Sequence, residues 1–197
     1  MEPIPSSHSQ RANPRYNYRD YAALPEGARY QLVEGELLMT PSPFSGHQRL
    51  SRDLCRLLDN WARQTGAGEV IPAPFDVILD EENVLQPDML YVSRERSGII
   101  QDWCRGAPDL VIEVLSPSNA SLDRSRKMKV YARFGVARIW LVHPIEHTFE
   151  CFLLDGTTYR VEASFADADL AEPPDFPGLK IPLLELWPPL PGTRGEH

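Results

Sequence analysis

Apolar and polar residues alternate along this chain in two distinct periods, and the changes of period mark out its elements. Leu50, Leu54, Leu57, Leu58 and Trp61 recur at helical spacing, which predicts a helix over about 46–64. Ser45 followed three residues later by Gln48 predicts a capping box at its start, and Gly66 and Gly68 mark its end. A short helix is expected over about 18–24, after a polar stretch, residues 1–17, that reads as a flexible tail. Between the two helices, Arg29 to Met39 holds two apolar runs around Glu34-Gly35, a hairpin pattern closed by Pro41-Ser42-Pro43.

Strand-like runs follow at 69–79 and 85–92, joined by the Asp80–Asn83 turn, with Pro87 near the start of the second. Arg94 to Gly106 reads as a loop or irregular helix. Asp109 to Leu115 is apolar on both faces, as a central strand covered by helices must be. Ser116-Pro117-Ser118-Asn119 turns the chain into a helix over about 121–134, stopped by Gly135. A strand over 137–142 and a hairpin of 149–154 with 157–163, turning at Asp155-Gly156, complete the pattern. In the Pro-rich C-terminal stretch only a short pairing around Lys180 to Leu186 is expected. The fold class is therefore α/β, or α+β, with helices flanking a central mixed sheet and hairpin additions near each end. The domain is placed at 18–190, with 191–197 as a C-terminal tail.

Composition changes this picture little. With 42% hydrophobic and 24% charged residues, the 197-residue chain has the make-up of an ordinary soluble globule. No apolar run reaches the roughly 18 residues that span a bilayer, and the N-terminus lacks a signal-peptide core. A cytoplasmic protein without membrane contact is expected. The net charge of −8 weighs against a protein that coats nucleic acid non-specifically. One basic stripe, Arg124, Arg126, Lys127, Lys129 and Arg133, stands against that total. Cys55, Cys104 and Cys151 form no CxxC and read as buried small hydrophobes.

The chemistry lies in acidic residues within apolar surroundings. Glu113 interrupts Leu110-Val111-Ile112-Glu113-Val114-Leu115, where a carboxylate is costly unless it is paired or binds a cation. Asp88 sits in a strand-like run although Asp is disfavoured in strands. Two carboxylates on neighbouring strands suit Mg²⁺ or Mn²⁺, hard cations that take few protein ligands and can activate water at a phosphate. Gln86 and Asp109 share strand faces with Asp88 and Glu113 by parity. His143 and His147 are four apart, but Pro144 rules out a helix that would carry both rings on one face. The chain has neither a Gly-rich phosphate loop nor a G-x-S-x-G elbow.

Pro87-Asp88 followed by Glu113-Val114-Leu115 resembles the PD…(D/E)XK signature of restriction-like nucleases. A closer resemblance is to the Uma-two family of restriction-endonuclease-like proteins. It is carried by Leu32-Val33-Glu34-Gly35-Glu36-Leu37, Pro41-Ser42-Pro43 with His47, Gln86-Pro87-Asp88 and the block from Pro108 to Ser118. Asp123, Lys127 and Tyr131 at spacings of four, and Gly135-Val136 with Trp140-Leu141-Val142, complete the match. The resemblance implies a restriction-endonuclease-like core, Mg²⁺-dependent hydrolysis of DNA and a homodimer. It also implies Asp88 and Glu113 as metal ligands, Glu34 as an assisting acid, and His47, Gln86 and Asp109 around them. The signature lysine should fall at 115, where this chain has Leu115, and the family position that replaces it corresponds to Lys127. At about 100° per residue, with Leu122 at zero, Lys127 lies near 140° with the apolar residues and Lys129 near 340°, on the far side. Leu115 and the acid total leave room for a rival: a nuclease fold kept as a module that binds DNA or a protein without cutting.

Overall fold

A computed structural model describes residues 15–40, 42–115 and 121–188, without the side chains of 121–123. The turn at Ser116–Asn119, the tail up to residue 14 and the C-terminal tail lie outside the described residues. The segment 15–17, expected within the tail, belongs to the fold: Tyr16 N–H bonds the Gly35 carbonyl, and Asn17 caps the first helix.

That helix, α1 (Tyr18–Ala22), opens with a reciprocal capping box between Asn17 and Asp20. The hairpin β1 (Tyr30–Val33) and β2 (Glu36–Met39) follows, turning at Glu34 and Gly35 with φ of 51° and 77°. Two consecutive positive φ angles match the right-handed strand twist, and the second falls on a glycine. The long helix α2 (Ser45–Thr65) begins one residue earlier than expected. Phe44 stands at the N-cap without a side-chain bond, so the expected Ser45–Gln48 box does not form; the Phe44 carbonyl accepts the Gln48 N–H instead. Gly66, left-handed at φ 65°, ends the helix as predicted.

Two expected strands are each broken in two. The first becomes β3 (Gly68–Pro72) and β4 (Val77–Asp80), and the second β5 (Asn83–Leu85) and β6 (Met89–Ser93). Pro74 and Pro87 lie in the breaks, where a missing N–H interrupts the ladder and the chain changes sheets. A 3₁₀ turn over Arg94–Ile99, β7 (Cys104–Arg105) and β8 (Leu110–Val114) come next. After α3 (Ser121–Arg133) the chain runs through β9 (Arg138–His143), β10 (Thr148–Asp155) and β11 (Thr158–Ala166). It closes with β12 (Leu170–Ala171), β13 (Ile181–Pro182) and the single turn α4 (Leu183–Leu186).

The strands form two main sheets rather than one. The larger has the order β11-β10-β9-β8-β6-β3 and is mixed, with β8 and β9 parallel. The second, β2-β1-β5-β4-β7, takes the N-terminal hairpin, whereas the β10–β11 hairpin extends the larger sheet. Helix α2 covers one face of the larger sheet, packing Leu50, Leu54, Leu58 and Trp61 with Leu110, Ile112 and Trp140. Helix α3 covers the other, packing Val130 and Tyr131 with Val111, Leu115, Ile139 and Leu141. Each large side chain fully buried in these layers contributes about 1.5–3 kcal/mol. Strand parity then fixes the key point: Glu113 alternates with Ile112 and Val114 and so projects toward α3. All three cysteines are free, and Cys104 and Cys151 are buried as expected, whereas Cys55 is only partly buried.

Candidate active site

Asp88 is the last residue of the crossover that carries the chain from β5 in one sheet to β6 in the other, not a strand residue as the sequence suggested. Its Oδ2 accepts the Val114 N–H at 2.7 Å, which ties the crossover to the end of β8. Its Oδ1 lies 3.2 Å from His47 Nε2, in the first turn of α2. Glu113 reaches α3 from β8: its Oε1 accepts the Tyr131 hydroxyl at 3.0 Å and faces Lys127 Nζ at 3.5 Å. Tyr131 and Lys127 are one helical turn apart, so a single face of α3 supplies both contacts.

Burial governs the electrostatics. The side chains of Glu113 and Lys127 are each 12% exposed and that of Asp88 22%. Burial pushes the Glu113 carboxyl above its usual range, the Lys127 charge pulls it down, and the Asp88 charge pushes it up again. Burial and the neighbouring Glu113 raise the Tyr131 hydroxyl well above its ordinary value, so it remains a donor. Burial opposes protonation of His47, but the Asp88 hydrogen bond and charge outweigh it and raise the ring. The Val114 carbonyl and Glu113 act in the same direction.

Asp88, Glu113, Lys127 and His47 line one cleft of about 310 Å³, walled on the β1 side by Arg29 and Gln31. Gln31 is buried and fixed at both ends: its Oε1 accepts the Gln86 N–H at 3.0 Å and its Nε2 donates to Thr40 Oγ1 at 3.2 Å. Leu38, Met39, Pro43 and Phe44 form an apolar part of the lining.

Of the other sequence candidates, Glu34 and Asp109 lie outside the cleft. Glu34 does not line this cleft; at the hairpin tip it meets Arg126 at 3.3 Å and Arg133 at 3.6 Å. Arg126 also contacts Glu36 at 2.7 Å and donates to the Val33 carbonyl. Two members of the expected basic stripe are thus neutralised by the hairpin, and of the rest Arg124 and Lys129 are exposed. Gln86 lines the cleft, but its amide turns away to donate to Asp76 at 2.7 Å and Tyr21 at 3.3 Å. Asp109 shares the face of Glu113 but serves the fold, accepting the Ser93 N–H and pairing with Arg96 at 2.8 Å. Leu115 is packed in the α3 layer, and Lys127 reaches Glu113 from the helix instead. Tyr131 and Gln31 were not singled out as site residues. Tyr131 carried a usable signal, since it follows Lys127 by four on the same helix.

Among the described residues no group of three His, Cys, Asp or Glu could enclose a metal. A hard cation needs no such group: it binds through one or two carboxylates and keeps its waters. Asp88 and Glu113 in one cleft, with Glu113 already pushed up partly by Asp88, are such a pair. On donor chemistry the residues fit Mg²⁺ or Mn²⁺. No described helix is long and apolar enough to cross a membrane.

Among solved structures the chain is similar to a "putative nuclease belonging to DUF820" from Anabaena variabilis, with a TM-score of 0.72 at 18% identity. The likeness covers 86% of this chain and 96% of that one, and at this identity it concerns the fold alone. No curated protein matches. The family model described as "Putative restriction endonuclease" matches residues 18–184, nearly the whole described structure. This chain belongs to the Uma2 family of restriction-endonuclease-like proteins.

Proposed function

We propose that this protein is a Mg²⁺- or Mn²⁺-dependent endodeoxyribonuclease. The observation that carries the reading is the gathering of Asp88, Glu113 and Lys127, all largely buried, in one open cleft. Asp88 and Glu113 would hold the ion. Once bound, it lowers the pKa of an attacking water and offsets charge on the phosphate. Lys127, beside Glu113, stands ready to stabilise the negative charge that develops as water adds to phosphorus and the bond to the leaving sugar oxygen breaks. Tyr131 orients Glu113 and His47 orients Asp88. Glu34, paired with arginines, is assigned to holding α3 rather than to the ion. A two-fold dimer would present two such clefts to two strands, and sedimentation showing monomer at micromolar concentration would count against it.

Calorimetric titration with Mn²⁺ and a plasmid-nicking assay test the reading together. Asp88→Asn and Glu113→Gln should lose both metal binding and cleavage. Lys127→Ala should keep metal binding and lose cleavage, while Lys129→Ala cleaves normally. Wild-type cleavage by either carboxylate variant refutes the assignment.

A second reading has its own support: each carboxylate already has a basic side chain as partner, Asp88 with His47 and Glu113 with Lys127. A nuclease fold retained as a binding module would need no more. It is favoured if the protein neither takes up Mn²⁺ nor nicks DNA yet still binds DNA or a protein partner.

A further inference from the structure

A second row of basic residues, on α2, begins beside the cleft. Arg49, Arg52, Arg56 and Arg63 are all exposed. At 3.6 residues per turn they fall within a sector of about 60° and extend over roughly 21 Å of helix. Asp53 meets Arg52 at 2.8 Å and Asp59 meets Arg63 at 2.7 Å, but among the described residues no carboxylate pairs with Arg49 or Arg56. The row begins beside Gln48, which lines the cleft one turn before Arg52. It therefore runs from the site outward, along a protein whose net charge is −8.

The cleft has a second feature that phosphate chemistry does not explain. Phe44 is 42% exposed and Met39 71% exposed, and both line it. The Phe44 ring stands edge-on to His47, with centroids 6.2 Å apart, and His47 contacts Asp88. A half-exposed aromatic ring thus lies within two residues' reach of the proposed scissile position. In a duplex the base faces are covered by their neighbours and cannot use such a ring; an unstacked base can. The carboxylate floor is 12–22% exposed, inside a space of about 310 Å³. That space suits one extruded nucleotide better than the side of a stacked helix.

We infer that the protein binds single-stranded DNA, with the phosphate backbone along the α2 arginine row and one base stacked on Phe44 at the cleft. This rests on the nuclease reading for the direction of the strand but is tested without cleavage. The probe is a fluorescein-labelled dT20, measured by anisotropy in CaCl₂ over a range of NaCl concentrations, beside a 20-base-pair duplex of mixed sequence. The dT20 should bind at least tenfold more tightly than the duplex. Phe44→Ala should weaken dT20 binding at least fivefold. Arg49→Gln with Arg56→Gln should reduce the slope of log K against log salt by about 1.4, two phosphate contacts at about 0.7 each. Among the described residues neither arginine is ion-paired, so this double variant should melt with the wild type. Duplex binding equal to or tighter than dT20, an unchanged salt slope, equal competition by polyglutamate, or no binding of dT20 overturns the inference. Duplex cleavage alongside tighter duplex binding would sink it while sparing the nuclease reading. Tight dT20 binding without cleavage of any DNA would do the reverse.

Discussion

Replacing Lys127 by Met isolates the cost of leaving Glu113 without its cation. Both groups are 12% exposed and their charged atoms are 3.5 Å apart, so solvent screens the pair little. Removing one partner of a buried pair leaves an uncompensated charge and costs about 3–5 kcal/mol. The lower end applies here, about 3 kcal/mol, because the Tyr131 hydroxyl continues to donate to the same oxygen. The sign of the pH dependence follows from the carboxyl. Burial already holds Glu113 above its unfolded value, and loss of Lys127 raises it further. The folded variant then binds more protons than the unfolded chain across the window between those two values, so its stability falls as pH rises through it. Urea unfolding of variant and wild type at pH 7 and pH 5 should therefore show the gap of about 3 kcal/mol shrinking in acid. Lys127→Met with Glu113→Gln should recover most of the loss at pH 7. A single variant that costs less than about 1 kcal/mol, or a double variant no better than the single one, refutes the argument that this pair is buried and mutually dependent.

Other expectations follow from the same contacts. Glu113→Gln should lose up to about 3 kcal/mol at pH 7 without metal, since it leaves the equally buried Lys127 ammonium without its carboxylate; differential scanning calorimetry checks this. Asp88→Asn should lose about 1–2 kcal/mol in the same measurement, because Asp88 accepts the Val114 N–H and faces His47. His47 is held above its ordinary value, so the His47–Asp88 contact stabilises the fold fully below about pH 6.5 and fades as pH rises through the higher folded value. An NMR titration should show the His47 ring moving to a lower pKa in Asp88→Asn; an unmoved ring contradicts the pairing. Arg126→Met should cost about 1–2 kcal/mol by urea unfolding, a modest loss because Glu34 and Glu36 are each 40% exposed.

Much of the site was legible because its residues break local rules. A carboxylate inside Leu110–Leu115 and a lysine on the apolar face of the following helix are anomalies that need each other, and they are found together. Asp88 was found for a reason that does not hold: it seemed a strand residue, but Pro87 marks a change of sheet. Hydrophobic pattern could not reveal that change, since the segments on either side of Pro87 are equally buried. The same blindness merged β3 with β4 and hid the second sheet. Glu34 misled because a hairpin's sequence does not state which element its tip will meet; it meets two arginines of α3. The α2 arginines were legible too: Arg49, Arg52, Arg56 and Arg63 fall opposite the apolar residues that predict the helix.

The crossover at Asp88 also bears on when the cleft is assembled. The cleft takes Gln31 from one sheet, Glu113 from the other, His47 from the long helix and Lys127 from the next, with Asp88 at the seam. No nascent fragment that stops short of α3 contains the full set. Contacts so far apart in sequence form late, after the loops between them have closed. A chain still being synthesised, or one caught half-folded, holds its acids and its lysine on separate pieces.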